Sequence, residues 1–252
     1  MPAQDVILET HGLVKAFKGF VAVDGVSLRV RSGEIHALIG PNGAGKTTFF
    51  NLLTKFLQPT SGSIVYRGRN ITRERTADIA RLGIVRSFQI CAVFPQLSVL
   101  ENVRVALQRK LATSFQFWRS ETSLKSLDGR ALELLAAVRL ESFARTLAAD
   151  LPYGRKRALE LATTLALDPQ LMLLDEPTQG LGHEDLAHVT QLIKQVSANR
   201  TVLMVEHNLS VVADLCDRIT VLTRGQVLAE GDYKTVSADP AVREAYLGTG
   251  HA

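Results

Sequence analysis

The stretch Gly40-Pro41-Asn42-Gly43-Ala44-Gly45-Lys46-Thr47, followed by Thr48, constrains this chain more than any other part of it. Its glycines let the backbone curl until successive N–H groups converge, a cradle for one anion. The flanks decide how the loop is used. Ile35-His36-Ala37-Leu38-Ile39 is a short apolar run suited to a buried strand. Lys46 to Leu57 carries Phe49, Phe50, Leu52, Leu53, Phe56 and Leu57 at helical spacing. Strand, glycine-rich loop and helix in that order make a phosphate-binding loop. There Lys46 reaches the β- and γ-phosphates of a nucleotide and the Thr47 hydroxyl sits on Mg²⁺.

The rest of the composition narrows the partners. At 252 residues, 46% hydrophobic and 21% charged, the chain has ample material for a core. A net charge of +4 without a run of five like charges lacks the concentrated basic surface of a nucleic-acid binder. Cys91 and Cys216 have no metal-ligand spacing, so neither a disulfide framework nor a zinc site is expected, and a reducing cytoplasm fits. Asp5 and Glu9 interrupt the N-terminal region, which has no apolar signal core. The longest apolar stretch, Leu161 to Leu174, is broken by Asp168-Pro169 and is too short to span a bilayer. The chain is therefore expected to be soluble, with any membrane role exercised through partners.

Patterning along the chain predicts a β-rich start, a helical middle and a return to alternating strands and helices. Strands are expected around Val21–Val30, Ser63–Tyr66 and Ile84–Phe88, with a short helix at Ala77–Leu82. From Pro95 to Leu167 leucines, alanines and valines recur at three- and four-residue spacing, with Ser114–Ser126 the least regular part. Beyond it, strands at Leu171–Leu174 and Thr201–Val205 alternate with helices at Glu184–Ser197 and Leu209–Leu215. An Arg218–Thr223 and Gln226–Ala229 hairpin then turns at Arg224-Gly225. The fold expected is α/β: a nucleotide-binding core with a mixed, mostly parallel sheet, an N-terminal antiparallel β subdomain and an inserted helical subdomain. Residues 1–88 and 168–252 form the core and 89–167 the insertion.

Leu171-Met172-Leu173-Leu174-Asp175-Glu176 places two carboxylates at the end of a buried strand. The first acid suits a Mg²⁺ shell and the second suits a water attacking the γ-phosphate. Upstream, Leu151-Pro152-Tyr153-Gly154-Arg155 opens a helical run. With that segment between loop and acids, the chain resembles the ATP-binding cassette family over nearly its whole length. The resemblance implies a P-loop ATPase binding ATP and Mg²⁺, with Leu151–Arg155 as the signature that grips nucleotide on the opposite subunit of a head-to-tail dimer. It implies further that Gln89 is the Q-loop glutamine near the metal, alongside Thr47 and Asp175. Glu176 becomes the catalytic acid, His207 the switch histidine and Phe17 the aromatic that stacks on adenine. The basic Arg155-Lys156-Arg157 then belongs to the signature helix and does not imply nucleic acid.

Two positions depart from the family's wording. Pro152 stands where serine is usual, so no hydroxyl faces the nucleotide there, although the helix-end amides remain. Gly182 stands where aspartate is common in the loop after the acids. Both departures favour a heterodimer of two ATPase subunits with unequal composite sites over a homodimer. Within the family, Phe20–Val26, Phe94–Val103, Tyr153–Arg155 and Glu244-Ala245-Tyr246-Leu247-Gly248 are similar to the branched-chain amino acid importers. That likeness implies permease subunits, an indirectly coupled substrate-binding protein and a peripheral place on the cytoplasmic face of the membrane. Importers for urea, amides or aromatic acids share the wording. A soluble cassette ATPase acting on nucleic acid or ribosomes would be expected to carry two cassettes or a heptad array, and this chain has one cassette and no array. A metabolic kinase would have no use for the signature helix.

Overall fold

The alternation that predicts a doubly layered α/β core is realised around two sheets. The computed structural model describes residues 6–87, 93–108 and 126–247. Contacts divide the chain into two units, one of residues 1–86, 170–176 and 197–252, the other of 87–169 and 177–196.

In the first unit, β1 (Val6–Phe17), β2 (Phe20–Val26), β3 (Arg29–Arg31), β5 (Ser61–Tyr66) and β6 (Arg69–Asn70) form an antiparallel sheet. The second sheet has the order β11-β10-β4-β9-β8-β7, built from β4 (Ile35–Ile39), β7 (Ile84–Arg86), β8 (Leu171–Asp175), β9 (Thr201–Val205), β10 (Arg218–Thr223) and β11 (Gln226–Gly231). All its neighbours are parallel except the β10–β11 hairpin. β4, β8 and β9 are buried at every position, which is why they read as unbroken apolar runs. The helix after the loop, α1 (Lys46–Leu53), buries Phe49, Phe50, Leu52 and Leu53. One apolar cluster joins these to Leu8, Val30 and Ile64 of the antiparallel sheet and to Leu38, Leu173 and Leu203 of the parallel one. Each such fully buried side chain contributes roughly 1.5–3 kcal/mol. The expected helix to Leu57 closes early, because Lys55 adopts a left-handed φ of 63°. α2 (Thr76–Arg81) precedes β7, α7 (Leu209–Leu215) follows β9, and α8 (Tyr233–Ala238) and α9 (Pro240–Leu247) follow β11.

The second unit is helical: α3 (Val99–Gln108), α4 (Asp128–Ala137), α5 (Tyr153–Ala166) and nearly all of α6 (His183–Ser197). Val99, Val103, Leu134, Leu135, Ala158 and Ala162 fill its interior. α3 starts at a reciprocal cap in which the Glu101 carboxylate accepts the Ser98 amide at 2.7 Å and the Ser98 hydroxyl accepts the Glu101 amide at 3.2 Å. The hydroxyl and amide of Ser98 hold the Glu101 carboxyl below its ordinary pKa. Residues 177–196 group with this unit, whereas the sequence alone suggests assigning 168–252 entirely to the core. Within this unit Tyr153 meets Gln179 and Gly154 meets Asp185.

Candidate functional site

The loop following β4 is shaped by backbone neighbours. At Gly40, with φ 148°, a Cβ would stand 2.1 Å from the carbonyl oxygen of Leu222. At Gly45, with φ 99°, it would stand 2.4 Å from that of Ala22. A main-chain carbonyl inside a sheet cannot step aside, so both positions require glycine. Gly225, in the β10–β11 turn, donates its amide to the Ala44 carbonyl at 3.1 Å and accepts from the Asp24 amide at 2.8 Å. Gln226 donates to the Asp24 carboxylate at 2.6 Å. Ala22, Leu222 and Gly225 thus set the loop's form without belonging to it. Only Gly225 carries a sequence signal, the Arg-Gly turn.

Lys46 is buried, and its ammonium donates to the carbonyls of Gly40 at 2.6 Å and Pro41 at 3.0 Å. Among the described residues two of its three N–H groups are engaged, which leaves one for an anion. Burial lowers its pKa, and the carboxylates of Glu176 and then Asp175 act in the opposite sense. Helix α1 begins here with Gly45 as N-cap, no side-chain cap and no acid in its first turn. No acid of the helix's own first turn competes for its terminal amides and dipole, a form suited to phosphate. Thr47 in that turn is exposed and Thr48 half-buried, while Asn42 and Gly43 on the loop crest are exposed.

Parallel pairing brings the other groups to the same end of the sheet. Leu38 and Asp175 both register against Val205, so the residues following β4, β8 and β9 emerge together. Asp175 is 1% exposed. One carboxylate oxygen is paired with Arg86 of β7, and Arg86 in turn donates to the Asn51 side chain at 2.6 Å. The other oxygen, Oδ1, is buried without a hydrogen-bond partner among the described residues. A desolvated acceptor of this kind is costly alone and is satisfied by a hard cation, so Asp175 fits a Mg²⁺ ion. Arg86 carries no motif signal. Glu176 is half-buried and holds a left-handed φ of 48°, with its amide donating to the Val205 carbonyl at 2.9 Å. Such backbone strain outside glycine concentrates at functional sites.

His207 is exposed at the end of β9. Its position is set by the fully buried Glu206, whose Oε1 accepts the amides of His207 at 3.0 Å and Asn208 at 3.1 Å. Phe17 lies at the tip of the β1–β2 hairpin, 42% exposed, opposite Phe20 and 5.1 Å from the Lys15 ammonium. The same hairpin supplies Ala22. Gln89 lies outside the described residues.

The segment Leu151–Arg155 is built differently, within the helical unit. Leu151 is buried, and Pro152 caps α5 in an extended conformation with no side-chain cap. The Tyr153 hydroxyl donates to the Gln179 carbonyl at 3.3 Å and accepts from Arg157 at 3.0 Å. Arg157 forms a buried ion pair with Glu160 at 2.9 Å. Arg155 stacks 3.9 Å from the Phe143 ring centroid, and Lys156 donates to the Ala149 carbonyl at 2.8 Å. A Cβ at Gly154 would meet the Asp185 carboxylate at 2.3–2.6 Å. The basic triplet is thus engaged inside its own unit.

The family profile described as "ABC transporter" matches residues 23–179. The chain belongs to the ATP-binding cassette transporter family. A second profile, "Branched-chain amino acid ATP-binding cassette transporter", matches residues 226–252 of this cassette. The cassette is 38% identical to the high-affinity branched-chain amino acid transport ATP-binding protein LivG of Salmonella typhimurium, covering 96% of this chain and 98% of LivG. It is 39% identical to the corresponding protein BraF of Pseudomonas aeruginosa over the same shares. Among solved structures, it is similar to the ADP conformation of MJ1267, an ATP-binding cassette of an ABC transporter. The TM-score is 0.85 with 30% identity, over 97% of this chain and 99% of that one. The expected fold is borne out, and the cassette is a nucleotide-binding ATPase that energises a transporter. Among the described residues no helix is long and apolar enough to cross a membrane.

Proposed function

We propose that this cassette drives a branched-chain amino acid importer from the cytoplasmic face of the membrane, docked on permease subunits that receive cargo from a binding protein. The observation that carries the cargo assignment is the end-to-end likeness to LivG and BraF, including the C-terminal 226–252 match.

In the proposed site, the amides of Gly40–Thr48 and the free N–H of Lys46 hold the β- and γ-phosphates of ATP, and Phe17 stacks on adenine. Thr47, Asp175 and Gln89 would hold Mg²⁺, which when bound neutralises developing phosphoryl charge. Glu176 orients the attacking water and takes its proton, and His207 contacts the γ-phosphate. Leu151–Arg155 meets the nucleotide of a second ATPase subunit through the amides at the start of α5. ATP favours the closed dimer and ADP does not, and this difference in affinity is the energetic link to the permease. Pro152 and Gly182 support a heterodimeric arrangement with unequal composite sites.

Glu176→Gln is expected to retain ATP binding and to lower turnover by roughly 10²–10⁴-fold. Lys46→Ala should instead weaken nucleotide binding itself. The cargo is tested in proteoliposomes carrying the permeases and both ATPase subunits. Leucine with its binding protein should raise ATP hydrolysis and accumulate inside. Stimulation by urea, amides or aromatic acids in place of leucine would overturn the assignment.

A further inference from the structure

The Tyr153 amide belongs to the start of α5, but its side chain reaches elsewhere, to the turn that follows the acid pair. Thr178-Gln179-Gly180-Leu181 closes by the Leu181 amide donating to the Thr178 carbonyl at 3.3 Å, and Gly180, third in the turn, has a φ of 75°. A positive φ at that place marks a type II turn, whose central peptide is flipped relative to type I. The central peptide here joins Gln179 to Gly180, and its carbonyl accepts the Tyr153 hydroxyl at 3.3 Å. A Cβ on Gly180 would stand 3.6 Å from the Tyr153 ring, so the ring lies alongside the turn.

Neither Gly180 nor Gly182 has a side chain with which to hold this loop. The Tyr153 ring is 45% exposed, so burial does not fix it either. Its orientation comes from Arg157, which is buried, paired with Glu160 at 2.9 Å, and donates to the Tyr153 hydroxyl oxygen at 3.0 Å. A charged donor on that oxygen strengthens the hydroxyl as a donor in its turn. Beyond the loop, Asp185 in the first turn of α6 occupies the space a Cβ at Gly154 would need. The loop is thus tied on both sides to the first turn of α5.

We propose that Tyr153 is a positioning residue that sets the turn after Glu176 from the first turn of the signature helix. Capture of a second subunit's nucleotide at the signature and the placing of Glu176 then become one event. The inference rests on the reading of Leu151–Arg155 as the signature that acts in trans. Only Pro177 separates Glu176 from the turn. Glu176 itself holds a left-handed φ of 48°, which persists only where its neighbours support it. Release of the 179–180 peptide lets the turn relax toward type I and loosens the hold of Glu176 on the attacking water.

Tyr153→Phe in the assembled transporter removes the hydroxyl and keeps the ring and the backbone amide. Steady-state ATP hydrolysis should show kcat lowered about 3- to 10-fold, the equivalent of one hydrogen bond, with KM for ATP unchanged. Amide exchange should quicken in a peptide spanning Pro177–Gly182 and stay parental across Gly40–Thr48. Gly180→Ala disfavours the same peptide orientation, so it should lower kcat as well, and the two changes together should cost no more than the larger of them. A parental kcat or parental exchange in Tyr153→Phe, or additive losses in the pair, would overturn the proposal. Pro152→Asp separates the two levels by placing a carboxylate at the exposed start of α5, where it repels phosphate. If a Glu176→Gln chain carrying it still associates with the second ATPase subunit on ATP as its parent does, the signature reading fails and the coupling with it. If that association is lost while Tyr153→Phe keeps the parental kcat, only the role of Tyr153 falls.

Discussion

The phosphate loop and the signature segment are both expected to face nucleotide phosphate at a helix N-terminus, but they are held by different means. The loop is fixed by main-chain atoms: the carbonyls of Leu222 and Ala22 lie where side chains at Gly40 and Gly45 would have to go. The signature is fixed by side chains, through Tyr153, Arg157 and Glu160, with Gly154 against the end of the Asp185 side chain. A backbone-built site demands one residue type at given positions. A side-chain-built one can be rebuilt with other side chains, while Pro152 is tolerated as the extended cap of α5.

The largest effect expected is in the signature unit. Arg157→Ala removes the 2.9 Å ion pair to the buried Glu160 and should lower stability by roughly 3–5 kcal/mol, read by denaturant unfolding. Replacing both, Arg157→Met with Glu160→Leu, should recover most of that loss, because two well-packed apolar groups can substitute for a buried pair. If the double replacement is as damaging as the single one, the signature is not held by interchangeable side chains.

Gly45→Ala probes the other half of the comparison, with an expected loss of roughly 2–4 kcal/mol from the 2.4 Å approach to the Ala22 carbonyl and the φ of 99°. Thermal unfolding and ATP binding should both register it. Gly154→Ala should cost under about 1 kcal/mol, since the Asp185 carboxylate can rotate away and the position is helical. Equal losses at Gly45 and Gly154 would erase the distinction.

Between those two in size lies a test of buried charge in the loop-bearing unit. Lys46 and Lys55 flank the two ends of α1, both buried, but among the described residues only Lys46 of the two has hydrogen bonds to its ammonium. Burial lowers the Lys55 pKa from 10.5 to about 8, with Glu74 opposing. The folded state thus sheds this proton before the unfolded chain does, and stability should rise as pH climbs from about 8 to 10.5. Lys55→Met should stabilise at pH 7 by about 1–3 kcal/mol, with the gain shrinking across that window. Urea midpoints at neutral and alkaline pH check this. A gain independent of pH would assign the effect to packing instead of charge.

What could be read from sequence follows the same division. β4, β8 and β9 were legible because burial on both faces leaves an apolar run with one meaning, and the loop because glycine is irreplaceable there. The longest strand, β1, gives no clean alternation, since register shifts between Leu13 and Ala16 move its side chains from face to face. The two short C-terminal helices are too brief to show a period. Within the site, Lys46, Asp175, Glu176 and His207 stand in motif positions. Arg86 and Glu206, which orient Asp175 and His207, do not, because a side chain that acts through a neighbour needs only to reach it from somewhere in the fold.

In the proposed function, the loop of this cassette supplies half of a site completed by a second ATPase subunit. Sedimentation of the Glu176→Gln chain, alone and mixed with the second ATPase subunit of its transporter, tests it directly. With Mg²⁺ and ATP the chain should associate into a dimer, more fully in the mixture, and ADP should leave it monomeric. A chain that binds ATP fully yet remains monomeric in both samples would contradict the claim.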